Sequence, residues 1–137
     1  MYLYERRAYY HETDQMGVIH HSNYLKWMEE ARINLLDSCG VSYKLMEDNG
    51  IISPVTAISI DYKTPCKFDD IVILELNITE YTGVKMTFEY KIYNKENNAI
   101  YATATSKHCF IKDGKIISLK KALPDIHQRM VDFIASL

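Results

Sequence analysis

Between Tyr10 and Asn23 the chain reads YHETDQMGVIHHSN, which gathers His11, Glu12, Asp14, His20 and His21 into one short stretch. Such side chains can move a proton, attack a carbonyl or ligate a metal. The spacing argues against a metal site, because there is no H-E-x-x-H helix pair and no two of these groups fall together on one rigid face. Carbonyl chemistry fits better. Asp14 leads into an apolar bend, Met16-Gly17-Val18-Ile19, followed by a helix whose first amides lack intrahelical acceptors. Those amides, with the positive end of the helix dipole, favour developing negative charge. A carboxylate facing such amides suits acyl transfer: it attacks or activates water while the amides hold the oxyanion. The plainer readings are that Asp14 is a turn or capping residue and that His20 and His21 are polar residues at a helix start.

These residues must be positioned by the elements around them. Tyr2 to Tyr10 alternates and reads as a strand that delivers Tyr10 and Asp14 to the helix. Ser22 or Asn23 is the expected helix cap and Gly40 the expected C′ residue. In between, Tyr24, Trp27, Met28, Ala31 and Leu35 fall on one face, flanked by Leu25, Leu36 and Cys39. Ala31 would let the helix axis lie close to a curved sheet, with Lys26, Glu29, Glu30 and Asn34 on the wetter side. Val41 to Asn49 is a short helical or irregular piece closed by Asn49-Gly50. The pattern then changes to period two around Ile58-Tyr62, Val72-Thr79, Met86-Ile92 and Ile100-His108, with connections short enough for antiparallel neighbours. His108, on the last of these strands, reads as structural. Asp113-Gly114 marks a hairpin, and Pro124 opens a final helix with the stripe Ile126, Met130, Phe133, Ile134 and Leu137. Strand, long helix, four strands and short helix make an α+β chain, without the βαβ crossovers of a doubly wound nucleotide fold and without a Gly-rich phosphate loop.

Composition removes several classes of function. With 137 residues the chain can bury a core without staples, and its net charge of −2 comes without any basic block, so nucleic acid is not an expected partner. Eleven tyrosines without an Arg/Lys-rich face do not make a stacking platform for single-stranded RNA. Cys39, Cys66 and Cys109 are odd in number and scattered, as in reduced thiols rather than a disulfide framework. Neither a signal core nor an apolar run of spanning length is present, so the expected protein is cytoplasmic and soluble and needs no cofactor or metal.

The run Tyr10 to Tyr24, with Glu29-Glu30-Ala31-Arg32, resembles the signature of hotdog-fold acyl-CoA thioesterases and is most similar to the 4-hydroxybenzoyl-CoA thioesterase family in its YbgC-like branch. Tyr62, Pro65 and the Asp69-Asp70 pair extend the likeness over nearly the whole chain. Two positions depart from it: Glu12 stands where many relatives have Asp, and His20 where they have Tyr or Trp. The resemblance implies one hotdog thioesterase domain over residues 1–137, a five-stranded antiparallel sheet wrapped around one long helix, and a short C-terminal helix. It also implies edge-to-edge homodimers, assembling onward to a tetramer, with active sites at the dimer interface. By the same likeness Asp14 is the catalytic carboxylate, the His21 backbone N–H faces the thioester oxygen, Tyr10 is an active-site tyrosine and Glu29 an acidic helix position. Lys85 falls in a region that is basic in relatives and could meet a CoA phosphate. The implied reaction is hydrolysis of an acyl-CoA to a carboxylic acid and CoA. Its rivals are an acyl-thioester hydratase or dehydratase, using His20 or His21 with Glu29, and a non-catalytic acyl-CoA-binding protein.

Overall fold

The period-two segments become the long strands of a computed structural model that describes residues 1–137. In chain order the elements are β1 (Tyr2–Arg7), α1 (Asn23–Ser38), α2 (Tyr43–Asp48), β2 (Ile51–Ile52), β3 (Val55–Tyr62), β4 (Ile71–Tyr81), β5 (Lys85–Asn94), β6 (Ile100–Cys109), β7 (Ile111–Lys112), β8 (Lys115–Ile116), α3 (Leu119–Ala122) and α4 (Pro124–Ser136). A 3-10 turn, Tyr10–Glu12, precedes α1. Five strands form an antiparallel sheet in the order β1-β4-β5-β6-β3, and β2, β7 and β8 form a small second sheet.

Because side chains alternate between faces along a strand, the register lines apolar residues into rungs. Tyr4, Leu74, Ile92, Ala102 and Tyr62 lie side by side across the five strands; the next rungs are Tyr2, Leu76, Tyr90, Ala104 and Ile60, then Ile78, Phe88, Ser106 and Ile58. Helix α1 packs on the sheet with Tyr24, Trp27, Met28, Ala31 and Leu35 all buried. Each large side chain so buried contributes about 1.5 to 3 kcal/mol relative to exposure. The helix ends as its last residues require: Gly40 adopts φ +77°, and the Val41 N–H reaches back to the Leu36 carbonyl at 2.9 Å. Asp113 and Gly114 both have positive φ and close the β7–β8 hairpin.

Two expectations need correction. The first strand stops at Arg7 rather than Tyr10, because the Tyr9 N–H is taken at 2.8 Å by the Glu12 carboxylate and the chain folds into the 3-10 turn. Neither Ser22 nor Asn23 caps α1 by accepting from its amides. Ser22 sits in the helical region with its Oγ 2.8 Å from His20 Nδ1, and the Asn23 side chain donates to the Glu12 carbonyl. Helix α3 and strand β2 carried no periodic signal, since elements this short span less than one repeat of any pattern, whereas the β7–β8 hairpin falls where Asp113-Gly114 marks it. Strand β3 is left at the border of the main sheet with its outer edge unpaired, and Val55, Ile58 and Tyr62 on it are 46%, 40% and 50% exposed.

Candidate active site

The Asp14 turn is built by its own sequence. The Glu12 carbonyl accepts the His20 N–H at 2.9 Å, Thr13 bridges Ile19, and the Asp14 N–H donates to the Val18 carbonyl at 2.8 Å, so residues 12–14 pair with 18–20. At the tip the Gly17 N–H donates to the Asp14 carbonyl at 3.1 Å, and Gly17 has φ +78°, where a side chain would be strained. Asp14 Oδ1 accepts from the Met16 N–H at 2.8 Å and from the Val18 N–H at 3.4 Å. One carboxylate oxygen is thus held by main-chain amides, while Oδ2 has no donor within the chain. The half-buried Asp14 lines a cavity of about 280 Å³.

His21, Tyr24 and Tyr62 line the same cavity. The amides at the opening of α1 are mostly engaged: Ser22 N–H with His20 Nδ1 at 3.2 Å, Asn23 N–H with the His20 carbonyl at 3.0 Å, and Tyr24 N–H with the His21 carbonyl at 3.4 Å. The His21 N–H has no acceptor in the chain. Because a peptide is planar, the bond from Asn23 to the His20 carbonyl also sets the direction of the His21 N–H across the same peptide. The Tyr62 hydroxyl donates to the His21 carbonyl at 3.1 Å and steadies the next peptide. Burial pushes the Tyr62 phenol up, and burial together with the neighbouring Cys66 and Tyr62 pushes Tyr24 up further, so both rings remain neutral hydroxyls at physiological pH.

The other sequence candidates lie elsewhere. Tyr10 is 75% exposed, edge-on to Phe68 at 5.5 Å, and does not line the Asp14 cavity. His11 stacks on Tyr9, and the His20 ring stacks on His21 at 4.1 Å with its Nδ1 engaged by Ser22. Glu29 is exposed on α1. Lys85 pairs with Cys109 at the end of β6 away from Ala102, the partner of Tyr62; it lines a separate cavity with Lys107 and Thr56. Sequence reasoning missed the link from Tyr62 to His21, although the alternation Ile58, Ile60, Tyr62 already aimed that ring at the helix face. It also missed Glu12 as the point on which the turn is anchored.

A five-stranded antiparallel sheet packed on one long helix is the hotdog fold, the architecture of the solved thioesterases this chain superposes on. The sequence matches the Thioesterase-like superfamily over residues 10–130, and the chain belongs to this family. It is 31% identical over 111 residues to the acyl-CoA thioesterase YbgC of Haemophilus influenzae, covering 80% of each chain. Among solved structures, the DHNA-CoA thioesterase of Staphylococcus aureus superposes with a TM-score of 0.90 at 35% identity, over 97% of this chain and 90% of that one. The 1,4-dihydroxy-2-naphthoyl-CoA thioesterase of Synechocystis gives 0.86 at 27% identity, over 98% and 96%.

Proposed function

We propose that residues 1–137 form one acyl-CoA thioester hydrolase domain in which Asp14 is the reacting carboxylate and the His21 N–H the oxyanion donor. The observation that supports this reading is that Asp14, whose Oδ2 accepts from no donor in the chain, and His21, whose N–H has no acceptor in the chain, line one cavity. In the proposed reaction the thioester oxygen lies against the His21 N–H, which gains strength as the carbonyl becomes tetrahedral. Asp14 Oδ2 then either attacks the carbonyl carbon, expelling CoA thiolate and leaving a mixed anhydride for water to cleave, or takes a proton from the attacking water. A thioester is already activated, so orientation and a preorganised oxyanion donor suffice for either route. The cavity, about 280 Å³, is too small for a whole CoA ester, so the nucleotide lies outside it.

The same reading assigns a homodimer joined along β3, whose bare, partly apolar edge calls for a covering strand. Two-fold antiparallel pairing there sets the Tyr62 end of one subunit beside the Val55 end of the other. Light scattering that found a fully active monomer would remove this part. The reaction itself is tested by incubating the protein with a panel of acyl-CoAs while free thiol and double-bond formation are followed separately. Thiol release is expected. Double-bond change without it would assign a hydratase or dehydratase, and saturable binding alone an acyl-CoA-binding protein.

A further inference from the structure

Glu12 lies outside the cavity wall and is only 7% exposed, yet every acceptor it owns is occupied. Its Oε1 takes the Arg6 Nη2–H and the Tyr9 N–H, both at 2.8 Å, and its Oε2 takes the Trp27 Nε1–H at 2.8 Å. Its main-chain carbonyl takes the His20 N–H at 2.9 Å and the Asn23 Nδ2–H at 2.8 Å. Five donors, from β1, the residue before the 3-10 turn, the first half of α1 and the segment leading into it, therefore meet on one residue. Arg6 is itself fixed: its guanidinium lies 4.7 Å over the Trp27 ring and 5.1 Å over Tyr9, and its Nη1 holds Glu30.

A buried ion pair alone would be weak evidence of anything beyond its own satisfaction. The placement of this one adds more. Glu12 begins the short pairing that carries Asp14 at its tip, and the strand of that pairing which returns ends at His20, one residue before the free amide. Its side chain ties the base of the pairing to a core tryptophan and to β1, while its carbonyl holds both the residue before His21 and the side chain two residues after. We propose that Glu12 is the positioning residue of the thioester site, setting the separation of the Asp14 carboxylate from the His21 N–H without touching substrate. This rests on the roles given to Asp14 and His21 above.

The chemistry makes the proposal sharp, because all three groups facing the Glu12 side chain are donors. A carboxylate accepts from all of them, whereas an amide of the same shape must turn its NH2 toward the Trp27 N–H or toward Arg6 and Tyr9. Glu12→Gln should fold, bind a non-hydrolysable acyl-CoA thioether within about twofold of wild type, and lose about 10- to 100-fold in kcat with KM little changed, the signature of misplaced reacting groups. Adding Trp27→Phe removes the opposing donor, and the double variant should recover a substantial part of that kcat. A merely structural role predicts the opposite, since a second core substitution would only compound the damage. Wild-type kcat in Glu12→Gln, loss of analogue binding in parallel with kcat, or no recovery in the double variant would each overturn the proposal. If Glu12→Gln does not fold, Asn23→Ser decides: it deletes one bond to the Glu12 carbonyl, and it must lower kcat while leaving analogue affinity intact. Asp14→Asn is measured alongside. Activity surviving in Asp14→Asn defeats the functional reading itself, whereas an inactive Asp14→Asn beside a fully active Glu12→Gln defeats only the positioning role.

Discussion

Helix α1 covers two polar clusters of quite different character. Near its start, Arg6, Glu12, Trp27 and Asn23 support the turn that carries Asp14 and His21. Further along, Arg32 donates to the Tyr90 hydroxyl at 3.0 Å, Tyr90 lies 2.6 Å from Ser106 Oγ, and Ser106 Oγ lies 2.8 Å from His108 Nε2. Both clusters are buried and both contain a cation. Only the first has a carboxylate to balance it, and only the first leads to two residues that line one cavity and keep, respectively, an unused acceptor and an unused donor. The second ends on the Arg32 Nε, buried and without an acceptor. Polar residues in a core therefore do not make a site. The arrangement needs unspent hydrogen-bonding capacity of both signs where a substrate can reach it.

The sharpest way to break this contrast is Asp14→Asn, which keeps the size and removes the charge. Turnover should fall by about two to four orders of magnitude with the fold intact by circular dichroism. Next comes the amide. His21→Pro deletes the donor and should cost about 100- to 1,000-fold in kcat, whereas His21→Ala keeps the N–H and should retain far more activity than either His21→Pro or Asp14→Asn. If His21→Ala is as inactive as Asp14→Asn with fold and analogue binding preserved, the imidazole itself reacts and the amide account fails.

The second cluster should answer to stability instead of rate. Burial, with the Arg32 cation adding to it, presses the His108 imidazole down from its ordinary 6.5 to about 4. Between these values the unfolded chain takes up a proton that the folded chain refuses, so stability falls as pH drops through 6.5 toward 4 and is unaffected by this group above that window. Wild type should lose about 2 kcal/mol more than His108→Gln between pH 7 and pH 5, read by urea unfolding. Equal losses would show that His108 is not the group responsible. The smallest effect is expected from Arg32→Met, which replaces an uncompensated buried cation with an apolar chain of similar length. Stability should change by less than about 2 kcal/mol in either direction, with kcat within about threefold of wild type. A large loss of kcat there would dissolve the distinction between the two clusters.

Much of this molecule follows from local rules. The spacing of Tyr24, Trp27, Met28, Ala31 and Leu35 determines which face of α1 is buried, Gly40 ends that helix, and alternation from Ile58 onward gives four strands joined by short connections. The pairing of Asp14 with a helix opening is legible too, because only a few residues separate them. What the sequence by itself could not determine is every contact made across long separations: which strands neighbour one another, that Tyr62 reaches the His21 carbonyl, that Arg32 is buried on a helix whose other charges are exposed, and that Glu12 and not Ser22 organises the start of α1. Periodicity and φ preferences are properties of neighbouring residues and can be read one segment at a time. A hydrogen-bond partner forty residues away is selected by sheet register and by which donors are left when the core closes, and only the tertiary structure decides that.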